Sequence, residues 1–403
     1  MTNIEDGKTF CYAPFVHLYL QNNEHHRVCC SSLEFNNVKP NTKFDLKERW
    51  SDEYYKDIRT KMLSGIPLPQ CNGCYKKEAA GVHSDRLMFN NIFKYRDIEL
   101  NIETGNQYNT PLDLDLRPGN LCNLKCRMCG PWASSQYAKE LEKHYDTLSF
   151  AGDNIKNNDI DWATPENLKF LLENVNQINR IKFLGGEPTI MPEVHSLIDH
   201  MIENRMFDTQ IHFTTNLTND NTAFIEKISK FKNISFSFSI DGIEDTIEYI
   251  RTPINWKTIE KNIKTYSDIS KYTSINFTWQ AYNFFHLEQF LKWLDNYNSN
   301  NKFIRLNLET LKNPNWASFL CFDLELRNNY LERLLNSDVM KSDHYNETVV
   351  PVLEDALNDT TTYDMFKFVD ATKRFDKVRN QHIKDYIPYV WDIIKNDYER
   401  IVL

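Results

Sequence analysis

The sequence lacks any run of about 18 consecutive apolar residues, so we expect no membrane-spanning helix. Its first residues, MTNIED, lack the charged and then apolar pattern of a secretory signal, which predicts a cytoplasmic protein. The sequence also lacks an excess of positive charge, since its formal net charge is −9 at pH 7. Nonspecific binding to nucleic acid is therefore not expected, although a local basic groove is not excluded.

Length and composition are ordinary for a globular protein. The 403 residues are 41% hydrophobic and 26% charged, which allows one large core with appendages. The nine cysteines are less ordinary. In a reducing compartment they are better explained as metal ligands than as disulfides. One of them, Cys321, stands alone, and we predict that it is a buried apolar residue.

Three cysteines form a CxxxCxxC cluster at Cys122, Cys126 and Cys129. They follow an apolar-alternating stretch, 112–117, and a turn that begins at Pro118. A tetrahedral zinc site needs a fourth protein ligand, and none stands nearby in the sequence. A [4Fe–4S] cluster held by three cysteines keeps one iron open to a small molecule. The spacing therefore favours a cluster with an open coordination site.

Strand-like and helix-like stretches alternate from residue 110 onward. The predicted strands are 112–117, 180–185, 210–215, 233–240, 274–281 and 303–308. The predicted helices are 133–146, 165–178, 191–206, 220–230, 256–269 and 286–297. Six β–α repeats predict parallel strands with right-handed crossovers. Because six units are too few for a closed eight-stranded barrel, we predict an α/β fold with an open, partial (β/α)6 TIM barrel over residues 110–310.

The predicted strands alternate between apolar and polar side chains. In 234–240 the polar positions are serines, and in 112–117 leucines alternate with Asp113, Asp115 and Arg117. Successive residues of a strand point to opposite faces. We expect the apolar faces to meet the outer helices, which leaves a polar lumen suited to a polar substrate.

Residues 1–95 are predicted to form a small cysteine-rich module. The stretch 10–20 predicts a strand, and 27–30 predicts the return strand of a hairpin. This hairpin would bring Cys11 close to Cys29 and Cys30, while a predicted helix over 51–63 leads to Cys71 and Cys74. Four ligands could come from Cys11, Cys71, Cys74 and one of the vicinal pair, with a slight preference for Cys30.

The metal of the N-terminal module is left open by spacing alone. Zinc in a four-cysteine site and an iron–sulfur cluster fit the cysteines about equally. His25 and His26 are alternative ligands, although they are more typical of exposed turn residues. Beyond the barrel, residues 311–403 predict a helical C-terminal extension that packs against it or closes its open side.

Four motifs in order resemble the radical S-adenosylmethionine (radical SAM) superfamily. They are LRPGNLCNLKCRMC at 116–129, Gly185-Gly186-Glu187-Pro188, Thr214-Thr215-Asn216 and Ser239-Ile240-Asp241-Gly242, each at the end of a predicted strand. The resemblance covers roughly residues 110–310. The N-terminal cysteines resemble the auxiliary-cluster (SPASM/twitch) modules of the same superfamily, here placed before the barrel rather than after it.

The resemblance implies a reaction. SAM binds the open iron, and one electron from the reduced cluster cleaves it to a 5′-deoxyadenosyl radical, which abstracts hydrogen from a substrate. Gly185 and Gly186 would let the backbone approach the ligand closely, and their carbonyls with Glu187 would accept hydrogen bonds from the SAM ammonium group. Pro188 would fix the exit of the strand.

Further SAM contacts follow from the same resemblance. Ser239 and Asp241 suit the ribose hydroxyls, Arg251 suits the SAM carboxylate, and Met128 occupies a position that packs against the adenine. Weaker candidates for this pocket are Thr214 and Asn216.

We therefore expect a radical SAM enzyme that acts on a peptide or protein side chain. A second [4Fe–4S] cluster, or zinc as the alternative, would occupy the N-terminal module. A nucleotide, sugar or other small metabolite is the alternative substrate, and a donor such as flavodoxin or ferredoxin would supply electrons. A zinc-stabilised, non-catalytic binding protein is the alternative of another class.

Overall fold

Seven parallel strands form one sheet in the order of the chain. The computed structural model describes residues 8–20, 27–33, 45–79, 81, 83–94, 110–151 and 162–403. The strands are β1 His17–Leu20, β2 Asp113–Leu116, β3 Arg180–Phe183, β4 Gln210–Thr215, β5 Asn233–Ser239, β6 Tyr272–Trp279 and β7 Arg305–Thr310. Each pairs in parallel with the next, from β1 to β7. The six predicted strands are present, and the α/β partial-barrel prediction is confirmed.

Helices connect these strands and continue beyond them. They are α1 Ala13–Val16, α2 Leu46–Trp50, α3 Glu53–Leu63, α4 Asn72–Ala79, α5 Asp85–Phe93, α6 Ser135–Lys143, α7 Tyr145–Leu148, α8 Pro165–Asn174, α9 Pro192–Glu203, α10 Thr222–Ile228, α11 Glu244–Ile250, α12 Trp256–Ile269, α13 Leu287–Asn300, α14 Leu324–Leu335, α15 Val350–Asn358, α16 Met365–Arg379, α17 Ile383–Tyr386 and α18 Pro388–Arg400. Within the described ranges, no helix has the length and apolar character needed to cross a membrane.

The N-terminal region contributes the first strand of the sheet. The predicted hairpin is wrong, because β1 pairs in parallel with β2 and residues 27–33 form turns and bends without a strand. A parallel neighbour needs a long crossover, and the ninety-odd residues between the two strands provide it. His25 and His26 lie outside the described residues. The division at 95 and 310 stays a prediction, although β1 joins the barrel sheet.

Aromatic side chains on the outer face of the sheet form the main core. Phe183, Phe213 and Phe236 occupy one register across β3, β4 and β5. Their ring centroids lie 4.9 and 5.8 Å apart. On the helical side, Phe224 of α10 and Tyr266 of α12 contact these rings edge-on. This burial of aromatic surface is what holds the helices against the sheet.

The inner face of the sheet is polar, as predicted. It encloses a cavity of about 1070 Å³ that is lined by residues such as Asp115, Lys182, His212, Ser237 and Asn276. His212 bonds to the hydroxyls of Ser235 and Ser237 at 2.9 and 3.1 Å. Burial, with the charges of nearby basic residues, lowers its pKa to about 3. This histidine is therefore neutral at physiological pH.

A buried ion network ties the first three strands together. The Asp113 carboxylate accepts a hydrogen bond from Nδ1 of His17 at 2.7 Å and from Nη2 of Arg180 at 2.8 Å. These residues are in register across β1, β2 and β3. Burial alone would raise the pKa of Asp113, but the Arg180 and His17 partners hold it well below its usual range.

We predict that Asp113→Asn lowers the free energy of unfolding by ~3–5 kcal/mol, because it leaves a buried arginine without its counter-charge. The pKa of Asp113 is lower in the folded state, so its contribution is present above the unfolded pKa of about 4 and is lost progressively as pH falls from there through the folded pKa. Urea unfolding at pH 7 measures the effect of the substitution, and urea unfolding of both proteins at about pH 3 measures the loss.

Asp208→Asn is the control for this variant, since Asp208 pairs with Lys232 on the surface, where the side chains are 80% and 67% exposed. It should change stability little. Equal effects of the two substitutions would contradict a structural role for the buried network.

Candidate active site

Cys122, Cys126 and Cys129 lie together on the cysteine loop, which we define as residues 118–129, between β2 and α6. Leu124 is buried among them, and Met128 packs at their edge. Burial raises the pKa of Cys122 to about 12, and burial raises the pKa of Cys126 and Cys129 as well. These thiols therefore stay protonated until a metal displaces their protons.

The donor set around the loop fits a three-cysteine cluster. Cys122 Sγ accepts a hydrogen bond from the Leu124 amide at 3.4 Å and lies 3.9 Å from Nδ2 of Asn216. Cys126 Sγ lies 3.9 Å from Nη1 of Arg251. Thiolate ligands with hydrogen bonds to their sulfurs are typical of iron–sulfur sites.

Backbone hydrogen bonds fix the cysteine loop on two sides. The Lys125 amide donates to the Thr252 carbonyl at 2.7 Å, and the Arg127 amide donates to the Ile250 carbonyl at 2.8 Å. On the other side, the Glu187 amide donates to the Leu121 carbonyl at 2.8 Å. The loop is thus connected to the residues after β3 and to the end of α11.

The two glycines after β3 are required by the close packing of the cysteine loop. A Cβ on Gly186 would lie 2.2 Å from the Leu121 carbonyl oxygen, and one on Gly185 would lie 2.8 Å from the Gly119 oxygen. Gly185 also has a φ of +112°. Sequence analysis assigned these glycines to a close approach of SAM. The loop backbone is a further reason for glycine at both positions, and the approach of SAM stays a prediction.

Glu187 is buried, and its carboxylate is already engaged by the protein. It accepts hydrogen bonds from the Thr189 amide and hydroxyl, the Thr215 hydroxyl and the Asn216 amide, at 2.6–3.1 Å. Pro188 follows at the start of a short 3-10 turn. Burial raises the pKa of Glu187, although these hydrogen bonds oppose the shift. The carboxylate therefore links the ends of β3 and β4, in addition to any contact with SAM.

Asp241 is engaged by donors of the protein, and its predicted contact with the ribose stays a prediction. Its side chain is fully buried, and its Oδ2 accepts a hydrogen bond from Nε of Arg251 at 2.7 Å. Its Oδ1 accepts from the Thr278 amide at 2.8 Å. Burial would lower the pKa of Arg251, but the Asp241 charge raises it overall. Asp241 thus holds a charged arginine beside Cys126.

The other predicted contacts surround the same end of the barrel. Asn216 donates to Asn123 of the cysteine loop at 3.1 Å, and Thr214 lines the lumen. Ser239 is half-buried at the end of β5. Met128 packs between the main core and the cysteine cluster. The predicted contacts of these four residues with SAM stay predictions.

The N-terminal cysteines form a second group. Cys11 and Cys29 are buried in one apolar cluster, and Cys71 packs at its edge. Burial raises the pKa of Cys11, with smaller effects from Cys71 and Cys74, so these sulfurs are close neighbours. Cys30 is exposed and lines the barrel lumen instead. The adjacent residues Cys29 and Cys30 thus lie in different environments.

The isolated Cys321 is buried, as predicted.

Sequence analysis missed the ion pairs that anchor the cysteine loop. Arg127 is fully buried and donates from Nη2 to Asp376 of α16 at 2.7 Å. Lys125 pairs with Glu140 of α6, which also binds Arg379 at the end of α16. The spacing of the cysteines gives no signal for these partners, because the two ends of the Arg127 pair are 249 residues apart.

The region that contains the cysteine loop is similar to known proteins. A family model described as the Radical SAM superfamily matches residues 116–294. The uncharacterized protein MJ0907 of Methanocaldococcus jannaschii is 32% identical over 134 residues, which are 32% of this chain and 39% of that protein.

Two solved structures also align with the chain. The structure of anSMEcpe with bound AdoMet has a TM-score of 0.40 and 18% identity over 56% of this chain and 60% of that one. Streptococcus suis SuiB bound to S-adenosylmethionine has a TM-score of 0.36 and 14% identity over 74% and 65%. The chain thus spans less than two thirds of the length of these relatives.

We predict that Gly186→Ala removes the iron bound by the cysteine loop, because the new Cβ displaces the Leu121 carbonyl. Anaerobic reconstitution followed by iron analysis should show a loss of about four iron atoms per chain. Ser229→Ala, at the exposed end of α10 and away from both groups of cysteines, is the control and should keep its full iron content. Full iron content in the Gly186 variant would show that the close contact does not position the loop.

Proposed function

We propose that this chain is an enzyme that cleaves S-adenosylmethionine to a 5′-deoxyadenosyl radical. The radical then takes a hydrogen atom from a polar substrate. Residues 116–294 match the radical SAM superfamily. The observation that carries the proposal is the set of three thiols on one loop, of which Cys122 and Cys126 are buried and Cys129 is half-buried. When bound there, a [4Fe–4S] cluster leaves one iron open for SAM and supplies the electron that cleaves it.

The protein's own task is to hold SAM beside the loop. Arg251 is kept charged and in place by Asp241, next to Cys126, so its guanidinium suits the SAM carboxylate. The carbonyls of Gly185 and Gly186 are candidates for the SAM ammonium group. Ser239, at the end of β5, suits the ribose. All of these lie at the carboxyl ends of the strands, where parallel β/α barrels bind their ligands.

The lumen supports a polar substrate. The wall formed by β4 to β7 presents neutral hydroxyl and amide groups, including Ser237, Ser274, Asn276 and Asn307. Such groups match the backbone amides of a peptide, which is the first candidate. The volume of about 1070 Å³ is close to the upper end of small-molecule sites, at roughly 1,000 Å³. That agreement favours a nucleotide, sugar or other small metabolite as the second candidate.

The N-terminal cysteines are proposed to bind a second [4Fe–4S] cluster, with zinc as the alternative. The burial of Cys29 beside Cys11 favours it as the fourth ligand with Cys71 and Cys74. This reverses the preference for Cys30 from sequence analysis, because Cys30 lines the lumen. With four cysteine ligands, such a cluster has no open iron and suits electron relay. A reduced flavodoxin or ferredoxin in the cytoplasm is the proposed electron donor.

We predict that the reconstituted protein releases 5′-deoxyadenosine from SAM when it is reduced anaerobically, and that Cys126→Ala abolishes this release because the loop loses a ligand. Chromatography of the quenched reaction measures the product. Cys321→Ala, a buried cysteine outside both groups, should retain the activity. Wild-type protein with a full complement of iron and no product would overturn the proposed function.

We predict that Cys29→Ser lowers the metal content of the N-terminal site, whereas Cys30→Ser leaves it unchanged. The reason is that only the Cys29 sulfur lies with the other cysteines of that site. Iron and zinc analysis of both variants makes the comparison, with the cysteine loop intact in each. The opposite pattern would assign Cys30 as the ligand.

A further inference from the structure

Three residues of α16 are linked to the cysteine loop. Phe375 and Asp376 contact Arg127 directly, and Arg379 is linked to Lys125 through Glu140. Asp376 is buried and accepts hydrogen bonds from Arg127 at 2.7 Å, Tyr249 at 2.7 Å and Tyr398 at 3.0 Å. This helix lies outside the residues that match the radical SAM family. The contact therefore belongs to the C-terminal extension of this chain.

Arg127 is the contact point on the loop. It follows Cys126 directly, and its guanidinium lies 3.5 Å from the ring centroid of Tyr249. Its Nε donates to the Tyr249 carbonyl at 3.0 Å. A cation held by a carboxylate, a carbonyl and an aromatic face has little freedom to move. Asp376 thus limits where the backbone between Cys126 and Cys129 can go.

Arg379 brings a second positive charge to the same place. Its side chain is 1% exposed and donates to Glu140 from Nε and Nη2, at 2.7–3.2 Å. Glu140 also accepts from Lys125 of the loop. Burial would raise the pKa of Glu140, but Arg379 and Lys125 lower it, so this carboxylate stays ionised. The bridge joins α16, α6 and the cysteine loop.

One guanidinium nitrogen of Arg379 has no hydrogen-bond partner within the described residues. This nitrogen, Nη1, is buried. Arg379 and Arg127 share the Phe375 ring, with their guanidinium carbons 4.6 and 5.6 Å from its centroid, and Arg127 directly follows Cys126. Buried polar atoms without a partner are rare and call for an explanation. A negatively charged group held beside the cysteine loop would provide such a partner.

We propose that α16 is part of the cluster site, where Asp376 positions the cysteine loop through Arg127 and Arg379 places a positive charge that raises the reduction potential of the bound cluster. The inference rests on one part of the proposed function, namely that the cysteine loop binds a cluster. Reduction adds a negative charge to the cluster. A fixed cation in a low-dielectric surrounding stabilises that charge and therefore favours the reduced state. Both residues are positioning residues, since Asp376 acts through Arg127 and Arg379 acts through its charge.

The test is a redox titration of the reconstituted holoenzyme, followed by the electron paramagnetic resonance (EPR) signal of the reduced cluster. Arg379→Met should keep its iron and lower the equilibrium constant for reduction about tenfold, a shift of about 59 mV for one electron. Arg379→Lys, which keeps the charge, should restore most of the potential. Arg374→Met is the control on the same helix, because Arg374 pairs with Asp370 instead, and it should leave the potential unchanged.

Asp376→Asn tests the positioning part. It should reduce the iron retained by the cysteine loop and broaden the EPR signal, while the N-terminal site keeps its metal. An unchanged potential in Arg379→Met, or a shift equal to that of the Arg374 control, would overturn the tuning role. Full iron and an unchanged signal in Asp376→Asn would overturn the positioning role. Failure of the wild-type protein to bind a cluster would instead overturn the proposed function.

Discussion

The close packing of the cysteine loop against the turn after β3 is the constraint on which the rest of the site depends. The Leu121 carbonyl occupies space that a Cβ at residue 186 would need, so only glycine allows the loop to reach this position. Once there, the loop is held by hydrogen bonds from Glu187 and by its own bonds to Thr252 and Ile250. These contacts decide where the three sulfurs lie.

Charged side chains connect the cysteine loop and the turn after β3 to other segments of the fold. Glu187 connects the turn to the end of β4, Asp241 holds Arg251 beside the loop, and Asp376 holds Arg127 from the C-terminal side. Each carboxylate is buried and engaged by at least two donors, which offsets the cost of removing it from water. The site is thus assembled from segments that are far apart in sequence.

Much of the fold could be predicted because alternation within strands is a local property. Ser235 and Ser237 alternate with phenylalanines, and the structure places the serines in the lumen and the rings in the core. The direction of β1 could not be predicted, since a four-residue strand does not indicate whether its partner is the next segment or one beyond a long crossover. The hairpin prediction failed for that reason.

The candidate site was predictable in outline but not in the roles of its residues. The motif positions lie together at the ends of β2 to β5, yet Asp241 holds Arg251 and Gly186 accommodates a carbonyl. A spacing pattern cannot distinguish a residue that contacts a ligand from one that supports its neighbour. The Arg127–Asp376 pair shows the same limit, since neither residue is unusual in its local sequence.

The open coordination site is the central claim, and EPR spectroscopy of the reduced protein tests it most directly. The account predicts a [4Fe–4S] signal whose g values change when SAM is added, because SAM binds the iron that has no cysteine ligand. A signal of the loop cluster that SAM leaves unchanged at saturating concentration would contradict the account.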